Sequence, residues 1–414
     1  YLDILAYEHV NDVPMRAHLR ASRGFCAQHA WQMLDQIRDP MGIGIIYRDV
    51  VNDVVKTLER HIRRFRSQPA SARTDAETAR GLAAQLRPRR SCVACDQARL
   101  INADNLFALA RYLREDDFAR AYRNSVGVCA WHARALLPRI SRPDVARLVV
   151  DTLERRTAEL LVHLDREASA DVLAIVLSGA TGARPHGAVV WDPTLADRAL
   201  PADNDCWAPF EASAPAGLSP WLAHLECPVC RSLQSRHVLS EAQAGATWSS
   251  AICAEHARAR SDPARVAKVV ASLRGASSVA THKDSWLGLR GLSFLERAAR
   301  VAGPIPASEG ACPDCVAEAV ESLSMIRAAF TAGRAMALAD ACLPHLYQSC
   351  LVPASPADRM GLLRLRTESW RELVDQLLEY IRKLDYRFRS EARGDEQLAP
   401  RLSVPQMVGQ HRLG

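Results

Sequence analysis

Ten of the chain's 12 cysteines stand in seven short clusters that alternate in kind along the sequence. Three are Cys-x-x-Cys pairs: Cys92/Cys95, Cys227/Cys230 and Cys312/Cys315. Four are Cys-x-x-His pairs: Cys26/His29, Cys129/His132, Cys253/His256 and Cys342/His345. Only Cys206 and Cys350 fall outside this order, and both read as buried thiols. A disulfide framework serves small, loop-rich secreted domains, and it gives no reason for His to recur three residues after Cys. Thiolate and imidazole at short fixed spacing are the donors of a tetrahedral Zn(II) site. The fourteen residues of the seven clusters are therefore the candidate metal ligands, with zinc the expected ion. No cluster carries the Cys-x-x-Cys-His run of haem attachment.

Two pairings of the clusters compete. Joining each Cys-x-x-Cys to the Cys-x-x-His that follows gives steps of 34 (Cys95 to Cys129), 23 (Cys230 to Cys253) and 27 residues (Cys315 to Cys342). Joining each Cys-x-x-His to the Cys-x-x-Cys that follows gives 63, 95 and 56. Loop closure favours the shorter set. The expected sites are then Cys92/Cys95/Cys129/His132, Cys227/Cys230/Cys253/His256 and Cys312/Cys315/Cys342/His345. Cys26/His29 is left half complete. The second unit spaces Cys92 from Cys129 by 37 residues, so the missing Cys pair is expected upstream of Tyr1.

Internal similarity supports a repeated unit. Met15 to Ala30 aligns with Phe118 to Ala133 at an offset of 103, and Asp49 to Arg60 aligns with Asp144 to Arg155 at an offset of 95. Val266 to Leu273 echoes the second block weakly. Each Cys-x-x-Cys opens an amphipathic helix, as Val316, Val320, Leu323, Ile326 and Phe330 show after Cys315. Each Cys-x-x-His starts the next helix, where a three-residue step puts both ligands on one face. Gly24 and Gly127 read as positive-φ stops of the helices before them. Long helices are expected over Ile43 to Phe65, Val145 to Arg166 and Gly361 to Phe388, with one short strand-like stretch at Ala188 to Trp191.

The expected architecture is all-α: tandem helical hairpins, each closed by a Cys3His metal site, arranged as two halves. Residues 1–170 form the N-terminal half, with its first site incomplete, and residues 171–220 an irregular linker. Residues 221–393 form the C-terminal half and 394–414 a tail that is mobile or docked on a partner. Ser178 to Pro220 is rich in Gly, Pro, Ala and Asp, but Trp191, Trp207, Phe210 and Trp221 argue that it packs along the helices. Ser67 to Arg90, rich in Ala, Arg and Ser, reads as a second loose stretch.

At these clusters the chain resembles a bacterial family of unknown function with tandem Cys-Pro-x-Cys and Cys-x-x-His helical repeats of zinc-binding type. The likeness rests on Arg20 to Trp31 (Arg-Ala-Ser-Arg-Gly-Phe-Cys-Ala-Gln-His-Ala-Trp), on Tyr1-Leu2-Asp3 and Tyr7 to Asp12, and on Asp385 to Arg389. The resemblance implies metal binding and brings no established reaction.

No nucleophile elbow, Gly-rich phosphate loop or paired-carboxylate site stands out, so no catalytic residue and no further cofactor site is assigned. Glu255 is the one acid inside a cluster; Gln28, Trp131 and Pro344 at the equivalent position show that no carboxylate is needed there. A net charge of +6 from 53 Lys+Arg against 47 Asp+Glu is too mild for a dedicated nucleic-acid binder. No apolar run is long enough to span a bilayer. The expectation is a cytoplasmic, non-enzymatic zinc scaffold or adaptor that engages a protein partner, with no small-molecule substrate. Iron–sulfur electron transfer through the same Cys3His sets, or a zinc–thiol redox switch, are the alternatives.

Overall fold

The computed structural model describes residues 1–37, 40–66, 72–128, 130–166, 188–198, 227–229, 313–388 and 390–409. Among these residues every regular element is helical. The α-helices are α1 (Leu2–Tyr7), α2 (Val13–Ala21), α3 (Ala27–Gln36), α4 (Met41–Arg66), α5 (Ala72–Leu86), α6 (Val93–Tyr112), α7 (Asp116–Arg123), α8 (Ala130–Leu136), α9 (Pro143–Arg166), α10 (Pro313–Thr331), α11 (Leu343–Leu351), α12 (Pro356–Leu384) and α13 (Ala399–Val408). The all-α expectation holds for the described residues. Ala188–Trp191 is a short 3-10 helix and not a strand.

The chain divides into two compact units whose segments interleave: Tyr1–Asp96 with Gly187–Gly245 and Val316–Arg412, and Gln97–His186 with Ala246–Cys315 and Leu413–Gly414. The halves expected at 1–170 and 221–393 do not describe the packing of the first unit. Its two longest helices, α4 and α12, come from opposite halves and lie against each other. The reason is in their stripes. Ile43, Ile46, Val50, Val54 and Leu58 recur at helical spacing on α4; Met360, Leu363, Trp370, Leu373 and Leu377 do so on α12, and all are buried. Each such side chain contributes about 1.5–3 kcal/mol on burial, more than a short linker can override. Gly44 lets the helices approach: a Cβ there would stand 3.3 Å from the Tyr380 ring and 3.5 Å from Pro400. At the rim Arg371 pairs with Glu59 at 2.6 Å.

Two further expectations fail in the same unit. The stretch Ser67 to Arg90 contains a whole helix, α5, whose Ala79, Leu82, Ala83 and Leu86 are buried at helical spacing. In the stretch expected to be mobile or docked on a partner, α13 packs on α4, α12, α11 and α3 of this chain, and residues 410–414 lie outside the described residues. Pro400 sits in its first turn, where no intrahelical donor is required. Of the expected linker, residues 188–198 are described. Trp191 stacks on Tyr347 of α11 with ring centroids 5.1 Å apart, and the Tyr347 hydroxyl donates to the Trp191 carbonyl at 2.9 Å. Trp207, Phe210 and Trp221 lie outside the described residues.

The second unit holds most of α6 together with α7, α8 and α9 around Leu106, Leu113, Tyr122, Leu136, Leu148 and Val149. Gly24 and Gly127 both adopt positive φ, 89° and 67°, as expected of helix stops.

Candidate metal centre

The first turn of a helix builds each half of the site. Cys26 is the N-cap of α3, with φ −66° and ψ 163°, and Cys342 is the N-cap of α11 with φ −64° and ψ 166°. His29 and His345 follow at the third helical position. In both turns the cysteine carbonyl accepts the first helical hydrogen bond, from Ala30 at 2.9 Å and Leu346 at 2.8 Å. Cys92 does the same for Asp96 at 3.0 Å at the start of α6, so Cys-x-x-Cys and Cys-x-x-His share one backbone form. Exposed helix amides favour the thiolate at such a position.

The structure brings Cys26, His29, Cys92 and Cys95 together, with all four ligand atoms within 4.8 Å of one another. His29 Nδ1 stands 3.2 Å from Cys26 Sγ, 3.3 Å from Cys95 Sγ and 3.7 Å from Cys92 Sγ. Cys26 and Cys95 place their sulfurs 3.7 Å apart. Zn–S and Zn–N bonds of ~2.3 and ~2.05 Å at tetrahedral angles require edges of about 3.8 Å between sulfurs and about 3.5 Å from sulfur to nitrogen. The donor set fits one ion. The same spacing is far beyond a disulfide, whose sulfurs lie about 2.05 Å apart.

A second group joins Cys227, Cys342 and His345, all buried. His345 Nδ1 lies 3.2 Å from Cys227 Sγ and 3.1 Å from Cys342 Sγ. Pro228 follows Cys227 and begins a helical turn, as expected for the knuckle.

These groupings correct the expected pairing. Cys92 and Cys95 meet Cys26/His29, and His132 is not in that group, so four donors come together among the described residues. Cys227 meets Cys342/His345, so neither the Cys227/Cys230/Cys253/His256 set nor the Cys312/Cys315/Cys342/His345 set describes the second. Loop closure distinguishes a 63-residue step from a 34-residue one by only about 0.5 kcal/mol. Helices carry the longer step back, and specific contacts close it. Arg23, with a positive φ of 59°, donates to the carbonyls of Leu86 and Gln85 at the end of α5 and to Asp53 at 2.6 Å. Arg89 N–H donates to Ala21 O at 2.8 Å, and His18 Nε2 lies 2.9 Å from Ser91 O. The segment leading into Cys92 is thereby tied to the helix leading into Cys26.

Of the other candidates, His132 lies in α8 and Cys315 is buried in the first turn of α10; neither belongs to the two groups above. Cys129, Cys230, Cys253, His256 and Cys312 lie outside the described residues, as does Cys206. Cys350 is buried, as expected.

The sites are electrostatically strong. Contact with Cys92 and Cys95 pushes the His29 imidazole up to about 10. Burial alone would lower His345, but the Cys342 and Cys227 sulfurs outweigh it and bring it to about 10 as well. Hydrogen bonds to Cys26 and Cys95 hold Cys92 far below the usual thiol range, while Cys26 is pushed up. These residues could hold a cation, which would take the place of the shared protons.

Sequence reasoning missed three residues around the centres. Tyr47 is wholly buried, its ring 3.3 Å from where a Gly24 Cβ would lie. Arg23 clamps the arms of the first centre, and Arg366 lies buried on α12 close to the second. The only cue was the dense run Arg16, Arg20 and Arg23, which reads equally as a solvated helix face.

Fold and donors define a class: an all-helical chain whose helix starts present Cys/His sets able to hold metal ions. A model of a family of unknown function (DUF6062) matches residues 2–147, a stretch that contains the complete first set. No curated protein and no solved structure matches the chain. No helix of the described residues is long and apolar enough to cross a membrane.

Proposed function

We propose that the chain is a non-enzymatic, zinc-stabilised helical scaffold that presents its surface to a protein partner in the cytoplasm. The observation that carries this reading is the first donor set: three sulfurs and one imidazole whose edges match a single tetrahedral ion. A closed Cys3His set leaves no open position for water or substrate, which favours a structural over a catalytic metal. Leu100, Ile101 and Phe107 of α6, at 61%, 44% and 69% exposure, supply apolar surface for a partner.

On the repeat reading, both groups draw their ligands from neighbouring hairpins. Cys26/His29 takes the Cys pair of the next hairpin, and Cys227 takes the Cys-x-x-His of the hairpin after it. Cys230, Cys253, His256 and Cys312 lie outside the described residues; the reading takes them, with Cys315, as the remaining ligands, enough for a fourth donor at the second centre and for a third set. Cys129 and His132 supply a further half-set of the same chemistry.

The iron–sulfur alternative is disfavoured by the compactness of the first set, because a cluster spreads its thiolates over several irons. Elemental analysis of the purified chain tests the reading. Zinc near three ions per chain, without iron or sulfide, is the expected result; stoichiometric iron and sulfide with a broad visible absorbance would overturn it. The redox-switch reading expects zinc loss on peroxide treatment instead.

A further inference from the structure

The helix α13 lies on both helices that begin with an observed Cys-x-x-His: α3, which opens at Cys26, and α11, which opens at Cys342. Its buried face includes Ser403, Val404, Gln406 and Met407. One side chain joins this face to the second metal group. Arg366 of α12 is wholly buried, and its guanidinium donates to Gln406 Oε1 on α13 and to Ala339 O at 3.3 Å. It also stands 3.8 Å from Asp340 Oδ1 and 4.6 Å from the centroid of the Trp370 ring. Trp370 Nε1 donates to the same Gln406 oxygen at 3.1 Å. Ala339, Asp340 and Ala341 are the residues that lead directly into Cys342.

We infer that metal binding at the Cys227/Cys342/His345 centre is coupled to the seating of α13, with Arg366 as the positioning residue and Gln406 as its receiver. The inference rests on the proposed metal reading and goes beyond it. An ion held by Cys342 fixes the 339–342 turn. That turn presents the Ala339 carbonyl and the Asp340 carboxylate to the guanidinium. The guanidinium, so held, aims its other nitrogen at Gln406. Coupling is reciprocal, so releasing α13 must loosen the metal by the factor by which removing the metal loosens α13.

Hydrogen exchange on the full chain tests this, read at residues 399–408 and, as an internal reference, at Leu148 and Val149 in the buried core of α9. Chelating the metal should raise exchange at 399–408 on the order of tenfold or more while the reference stays protected. Gln406→Leu should keep the metal content of the parent at saturating zinc, raise exchange at 399–408 in the loaded protein, and lower the zinc affinity, read at equilibrium against a competing chelator, by a similar factor. Arg366→Met should do the same more strongly; Gln406→Leu carries the test if that variant folds poorly. Exchange at 399–408 that is indifferent to a metal shown to be bound, or unchanged zinc affinity of Gln406→Leu, overturns the coupling alone. A purified chain without metal overturns the proposed function and this inference together.

Discussion

Cys26 and His29 sit at the N-cap and third positions of α3, and this placement explains why three residues of spacing suffice. The helix start sets sulfur and imidazole nitrogen 3.2 Å apart, close to the edge that a single tetrahedral ion requires. Replacing Cys95 by Ser should remove one metal ion per chain in elemental analysis. It should also cost about 4 kcal/mol of stability when free metal exceeds Kd by about a thousandfold, measured by denaturant unfolding. Metal content left unchanged by Cys95→Ser would exclude Cys95 as a ligand. Gly24 is the second sensitive residue. Its φ of 89° disfavours any side chain, and a Cβ would meet the Tyr47 ring at 3.3 Å. Gly24→Ala should destabilise the chain by about 1–2 kcal/mol. The knuckles were legible at this scale because donor chemistry and spacing are local. The contributions of Arg23 and Arg366 were not, because a buried guanidinium is defined by carbonyls distant in sequence: Leu86 for one and Ala339 for the other.

Between elements, α2 is held on α4 by one carboxylate. Asp49 accepts from Arg16 at 3.2 Å and from Arg20 at 2.5 Å. Burial alone would raise the Asp49 carboxyl, but the two guanidinium groups outweigh it and hold it below its ordinary value. A depressed folded-state pKa contributes stability above the unfolded value of about 3.9 and loses it as pH falls through the folded one. Asp49→Asn should therefore cost about 2 kcal/mol at neutral pH, and the gap to the parent should close below about pH 4 in thermal melts. A constant gap across that range would remove Asp49 from the account. Within the core, Leu58→Ala on α4 should cost about 3 kcal/mol because the site is fully buried against packed helices. Helices α4, α9 and α12 were readable from their stripes. The helix α5 escaped notice because its alanines carry a weak apolar signal, although Ala79, Leu82, Ala83 and Leu86 keep the helical period. The helix α13 escaped because Pro400 and Pro405 read as breakers, whereas Pro400 occupies a first turn.

Over the whole molecule, the pairing of clusters could not be decided by sequence distance. A coil-like loop penalises a longer step only logarithmically, and a pair of helices between the clusters replaces that cost with packing. The return of α5 beside α4 and the meeting of α4 with α12 settle which knuckles face each other in the first unit. Ligands that meet across such distances make each centre a staple between segments, so metal loss should be felt far from the ligands. Zinc K-edge absorption on the purified chain tests the central claim most directly. A single-ion reading predicts sulfur at ~2.3 Å and nitrogen at ~2.05 Å in a three-to-one ratio, with no further oxygen ligand. An iron edge with a metal–metal vector, or a zinc site without sulfur, would contradict it.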